Sequence, residues 1–151
     1  MRNRQLRSWL SPKLRFESSD SKTTKMYTPQ VADHIARPRN VGEIRSPSGV
    51  GDVTNEVCLD RIRLSIRVDQ DRLTDAKVKA QGCPPTIAAA SALTELIIGR
   101  SLTEVESLTR KDIVQSLGRL PVAKMHCASL AIDALRAAID SIEQSPVSSP
   151  A

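Results

Sequence analysis

Arg61-Ile-Arg-Leu-Ser-Ile-Arg-Val68 places an apolar residue at every even position and a polar one at every odd position. That period of two is the mark of a half-buried β-strand. Asp69-Gln-Asp-Arg72 follows as a turn, and Ala76, Val78 and Ala80 keep the even-apolar rule in a second strand. Two strands joined so closely form an antiparallel hairpin. Upstream, residues 40–57 contain Gly42, Pro47, Gly49, Gly51 and Asn55 without regular alternation, which predicts turns with at most a short first strand.

Past residue 83 the period becomes helical. Ile87, Ala90, Ser91, Thr94 and Ile97 mark one side of a helix, Ala88, Leu93 and Leu96 widen its apolar face, and Gly99 suits the position just beyond its end. Ser101-Leu-Thr-Glu104 is a capping box that opens a short helix, and Thr109 to Leu117 gives another that stops near Gly118. Leu130, Ala131, Ala134, Leu135, Ala138, Ile139 and Ile142 form the apolar stripe of a final helix, with Asp133, Arg136 and Asp140 outside it. Ahead of the hairpin, Tyr27 to Ala36 reads as a short helix with Thr28 as N-cap and Pro29 in its first position, ended by Pro38. The expected architecture is α+β: a small antiparallel sheet of about three strands, its apolar face covered by several helices.

A chain of 151 residues is sized for one domain with its own core. Trp9, Phe16 and Tyr27 are the only aromatic residues, so that core is built from Ile, Leu, Val and Ala. The net charge of +5 invites a nucleic-acid reading, but residues 1–25 carry seven Lys or Arg against two acids, leaving fifteen of each sign in the rest. The basicity thus belongs to a Ser-rich leader over residues 1–25, expected to be disordered. A presequence, which would direct the chain to mitochondria, and an upstream extension of a chain starting at Met26 are the alternatives. The expected domain covers residues 26–143, and residues 144–151 are expected to form a frayed tail. No apolar run approaches the ~18 residues of a membrane span, and the three cysteines, an odd number, fit free thiols better than disulfides. The chain is expected in the cytoplasm, without membrane or nucleic-acid partners.

Those cysteines fall at element boundaries. Cys83 is followed by Pro84-Pro85 and a helix, and Cys127 opens the last helix, so both thiols are expected where unpaired N–H groups and the helix dipole favour thiolate. Cys58 and Asp60 precede the first clear strand and would share one face if strand geometry reached back to 58. With His126 they make Cys58, Asp60, Cys83, His126 and Cys127 a set of five candidate ligands from which a four-ligand site could be drawn. The separations of 25 and 44 residues between the cysteines match no local metal motif. Each residue alone has a plainer reading: a buried small hydrophobe for a cysteine, a cap or core group for His126, a solvated acid for Asp60. The face carrying Arg61, Arg63, Arg67, Lys77 and Lys79 reads as the solvated side of the sheet.

Four segments together carry a resemblance: Asp33-His-Ile-Ala-Arg-Pro-Arg-Asn-Val-Gly42, Asn55-Glu-Val-Cys-Leu-Asp60, Gln81-Gly-Cys83 with its Ala-rich helix, and Lys124-Met-His-Cys-Ala-Ser-Leu-Ala131. In this order they make Tyr27 to Ile139 resemble the IscU/NifU-type iron–sulfur cluster assembly scaffolds. The resemblance implies a carrier rather than an enzyme. Cys58, Cys83 and Cys127 would hold a labile cluster of [2Fe-2S] type, with Asp60 and His126 as exchangeable fourth ligands or, in the apo form, zinc ligands. Cys127 would accept persulfide sulfur from a cysteine desulfurase, and apo iron–sulfur proteins would receive the cluster. Three thiolates and one weaker ligand retain a cluster less firmly than four thiolates, which suits release.

The chain departs from the family pattern in places. Cys58-Leu59-Asp60 stands where Cys-Gly-Asp is common, and Pro84-Pro85 replaces the small residues that often follow the second cysteine. The Leu-Pro-Pro-Val-Lys segment that an Hsp70-type chaperone reads in some members is here Leu120-Pro-Val-Ala-Lys124, which argues against that partner. Two other readings use the same residues: a zinc-bound sulfurtransferase accepting persulfide from a desulfurase, and a structural zinc module with a nucleic-acid-binding arm.

Overall fold

The structure, a computed structural model, describes residues 27–56 and 59–144. The expected leader, most of the expected tail and Cys58 lie outside the described residues. Gln144 still belongs to the last helix.

Helix α1 (Pro29–Ala36) begins as its sequence dictates. The Thr28 hydroxyl accepts the Val31 N–H at 3.1 Å and donates to the Leu117 carbonyl, tying the helix start to a distant loop. Strands β1 (Gly49–Thr54), β2 (Arg61–Asp69) and β3 (Arg72–Gln81) form one antiparallel sheet in that order. Gln70 and Asp71 alone join β2 to β3, both with positive φ, the backbone hand that matches the twist of a tight hairpin. The alternation in β3 shifts once: Arg67 pairs with Asp75 but Val68 with Leu73, so Thr74 is bulged out and Leu73 turns inward at an odd position.

Helix α2 (Pro84–Ile97) packs on β3, and α5 (Met125–Gln144) on β1 and α2. Short helices α3 (Leu102–Glu106) and α4 (Arg110–Ser116) close one end, each with the acidic half of its capping box in place. Sequence periodicity predicts an apolar side to α2, whereas residues 85 to 94 of that helix are all buried, because sheet, α1, α4 and α5 surround it. Alanine makes this possible by keeping the helix narrow. The same economy brings β1 against α5, where a Cβ on Gly51 would come within 2.1 Å of the Ala134 carbonyl oxygen. This close seating fixes α5, and with it the residues of its first turn.

The polar face of the sheet is less solvated than the sequence suggests. Residues 40–42 hydrogen-bond to Val78 at the free edge of β3, and the chain then crosses that face to reach β1. On the way Ile44 N–H donates to the Ser65 hydroxyl at 3.1 Å, while Glu43 bridges Lys79 at 2.9 Å and Arg63 at 2.8 Å. Ser65 and Lys79 are buried as a result.

Helix α1 is locked to α2 by a polar seam. The Ser91 hydroxyl accepts the Arg39 N–H at 2.8 Å and meets His34 Nδ1 at 2.7 Å, and His34 Nε2 faces Glu95 at 3.5 Å. Burial of the ring, with Arg39 second, holds the His34 pKa below its ordinary 6.5, against Glu95 and Asp33. A histidine depressed in the folded state contributes stability above its unfolded pKa and loses it as pH falls below that value. The urea midpoint should therefore decline as pH drops from 7 toward 5, with a shallower slope in His34→Gln. A flat profile, or the same slope in both proteins, would contradict this account of the seam.

Candidate metal-binding site

Strand β3 ends at Gln81 and α2 starts at Pro84, so Gly82 and Cys83 alone make the strand-to-helix junction. Gly82 has φ +142, which side chains rarely adopt, and a Cβ there would lie 2.1 Å from Asp60 Oδ1. Glycine is required on both counts, because it lets the neighbouring strand present Asp60 against the junction. Gly82→Ala should cost at least about 1–2 kcal/mol and push the Asp60 carboxylate away. Urea denaturation checks this, and an unchanged midpoint would refute it.

Cys83 is the N-cap of α2. Its N–H donates to Asp60 Oδ1 at 3.3 Å, and its Sγ lies 3.6 Å from Asp60 Oδ2 and 3.6 Å from Cys127 Sγ. Cys127 stands in the first turn of α5, which is reached through a 3-10 turn at Val122–Lys124. The ring of His126 is 30% exposed, and its Nε2 lies 3.6 Å from both Cys127 Sγ and Asp60 Oδ2. Ligand atoms of Asp60, Cys83, His126 and Cys127 all fall within 4.8 Å of one another. Asp60 and Cys127 are buried, and Cys83 is half-buried.

The two thiols differ more than their shared position at helix starts predicts. Cys83 is lowered to about 6, first by its hydrogen bond with Cys127 and then by the Thr86 hydroxyl and N–H, against the opposing effect of burial. The same contact with Cys83, together with burial, pushes Cys127 well up. Two sulfurs this close favour one thiolate steadied by the other's S–H. The pair therefore carries one thiolate where the two helix starts, taken separately, lead one to expect two. At Cys83 the helix dipole is also a lesser aid than expected, since Pro84 and Pro85 remove the first two N–H donors of α2.

The expectation that strand geometry reaches back to Cys58 fails in the described part. Strand β2 begins at Arg61, Leu59 has φ +62, and Asn55 closes a turn by exchanging backbone hydrogen bonds with Leu59 and Asp60. Asp60 owes its place to this turn and to Gly82 rather than to alternation with residue 58.

Sequence reasoning missed Thr86. This fully buried residue donates its hydroxyl to Asp60 Oδ2 at 2.8 Å and lies 3.2 Å from both Cys83 Sγ and Cys127 Sγ. Its signal was available: residues three apart share a helix face, so 86 follows Cys83 into the site.

Two thiols, a buried carboxylate and an imidazole brought together from three separate segments form a donor set suited to a thiophilic metal or to iron in a sulfide cluster. Comparison with known proteins points the same way. Residues 26–148 match the family model described as the NifU-like N-terminal domain, and the chain belongs to that family. It is 45% identical over 114 residues to the iron–sulfur cluster assembly scaffold protein IscU 1 of Archaeoglobus fulgidus, covering 76% of this chain and 74% of that one. With the scaffold protein IscU of Azotobacter vinelandii it shares 41% over 117 residues, 75% of this chain and 91% of the other. The crystal structure of a NifU-like N-terminal protein from Brucella abortus has the same fold, with a TM-score of 0.66 at 16% identity over 82% of this chain and 98% of that one. The α+β architecture read from the hairpin and the final helix is thus the architecture of the family.

Proposed function

We propose that this chain is an iron–sulfur cluster assembly scaffold: it receives sulfur and iron, builds a labile [2Fe-2S]-type cluster, and hands the cluster to apo-proteins. The observation that carries the reading is the convergence of Asp60, Cys83, His126 and Cys127 within 4.8 Å, in a chain whose relatives are named as such scaffolds. Cys58, Cys83 and Cys127 are the thiolate ligands in this proposal, and Asp60 or His126 fills the fourth place. The cluster is cargo, and the protein's contribution is to collect it, orient it and shield it from water.

A cysteine desulfurase is the proposed sulfur donor, with Cys127 as persulfide acceptor. Cys127 is fully buried, so acceptance there calls for an outward movement of the Val122–Lys124 turn and the start of α5. The role is that of a carrier, not an enzyme, and the proposed place of action is the cytoplasm. Among the described residues no helix is long and apolar enough to cross a membrane.

Anaerobic reconstitution with iron, sulfide and reductant tests the proposal. The wild-type chain should develop a visible chromophore and Cys58→Ser should not. A second reading has its own support, since one carboxylate, one imidazole and two sulfurs already make four groups of the kind zinc accepts. Stoichiometric zinc that accelerates a desulfurase, without any chromophore forming, would select a zinc-bound sulfurtransferase.

A further inference from the structure

The Thr86 hydroxyl has one proton and three acceptors around it: Asp60 Oδ2 at 2.8 Å, Cys83 Sγ at 3.2 Å and Cys127 Sγ at 3.2 Å. It is fully buried in the third position of α2, so water does not compete for that proton. A β-branched side chain on a helix is also stiff, which fixes where the hydroxyl points. The carboxylate is the nearest acceptor at an ordinary O–H···O length, while both sulfurs remain within reach of the same oxygen. Asp60 is held from its other side by the Cys83 N–H at 3.3 Å on Oδ1, with Gly82 leaving the space. Without the Thr86 bond, Oδ2 would keep only its longer contacts with Cys83 Sγ and His126 Nε2, each at 3.6 Å, which leave it freer to turn from the position facing both sulfurs.

We propose that Thr86 is a positioning residue for the metal site, its buried hydroxyl holding the Asp60 carboxylate in register with Cys83 and Cys127 so that a metal ion meets a prearranged ligand set. The proposal deepens the scaffold reading and rests on it. A carboxylate oxygen has lone pairs enough to take the hydroxyl proton and still face a metal. Partners that orient a ligand in this way typically change metal affinity by about 10–100-fold when removed. Thr86 thereby links the most deeply buried acid among the described residues to both described thiols, and the effect of its hydroxyl should run through Asp60.

The test is a double-mutant cycle read by cobalt(II) binding to the full chain under reducing, anaerobic conditions, followed by the visible and near-ultraviolet bands of tetrahedral cobalt and cobalt–thiolate. Thr86→Val keeps the shape and deletes the hydroxyl, and it should weaken cobalt binding by about 10–100-fold with a shift in the visible bands as the carboxylate leaves. Thr86→Ser should restore affinity to within about threefold, which a purely space-filling role would not predict. In an Asp60→Ala background Thr86→Val should have little further effect, because nothing is left to position. Cobalt affinity in Thr86→Val within threefold of wild type, or an undiminished loss in the Asp60→Ala background, would overturn the proposal. Failure of the wild-type chain to bind cobalt at all would overturn it together with the metal-site reading, whereas normal wild-type binding with an insensitive Thr86→Val would sink the role of Thr86 alone.

Discussion

Asp60→Ala should release a reconstituted cluster about tenfold more slowly than the wild-type chain, an increase of roughly 1.4 kcal/mol in the release barrier. The reason lies in what stands beside the carboxylate. His126 Nε2 is 3.6 Å from Asp60 Oδ2 and equally far from Cys127 Sγ, so removing the carboxylate leaves an imidazole in place to take the fourth position. Nitrogen is a better match than a hard oxygen for iron already bound by thiolates. The cluster would exchange a weak, displaceable ligand for a firmer one. Decay of the visible absorbance after adding a chelator measures the rate, and faster decay in Asp60→Ala would contradict the view that the carboxylate makes the cluster releasable. Asp60→Ala with His126→Ala should reverse the gain.

Cys83→Ser should abolish cluster retention, lowering affinity by at least about 100-fold, while leaving the fold intact. Cys83 is the described thiol with the lowered pKa, about 6, and the one that faces both Cys127 and Asp60. A serine hydroxyl stays protonated at neutral pH and is a poor ligand for iron, so the thiolate is not replaced. Structure should survive for a local reason. Cys83 is the N-cap of α2 and makes no side-chain capping bond, whereas serine is among the residues preferred at that position. An unchanged or raised urea midpoint beside a lost chromophore would separate the chemical role of the thiol from any structural one. A Cys83→Ser protein that still develops the wild-type chromophore would remove Cys83 from the site.

The sequence made the hairpin, the final helix and the helix caps legible because each is specified locally. Period two over residues 61–68, Thr28 before Pro29, and the Ser101-Leu-Thr-Glu104 box each act within a few residues, and each is found as expected. What stayed hidden depends on neighbours far along the chain. Leu73 faces inward through a bulge at Thr74, which an alternation rule reads as a broken pattern. Helix α2 is enclosed by other elements, and its alanines, compatible with a surface or a core, do not announce that. Lys79 is buried by residues 40–48 crossing the sheet, a path no periodicity encodes.

At the site, residue types and their places at element boundaries were readable, and the meeting of Asp60, Cys83, His126 and Cys127 was a tertiary outcome. In the sequence Gly82 reads only as part of the Gln81-Gly-Cys83 segment and Thr86 as one more helix residue, because their work is positional. One leaves room for a carboxylate, and the other gives it a hydrogen bond. The contrast between the two thiols was likewise invisible in sequence, since it arises from a sulfur–sulfur distance of 3.6 Å across 44 residues.

Iron and acid-labile sulfide analysis of the anaerobically purified chain, beside its zinc content, tests the scaffold account most directly. Iron and sulfide in equal, near-integral amounts per cluster-bearing unit, lost on brief exposure to a chelator, are the result this account predicts. Tightly held zinc with no labile sulfide, before or after reconstitution, would contradict it.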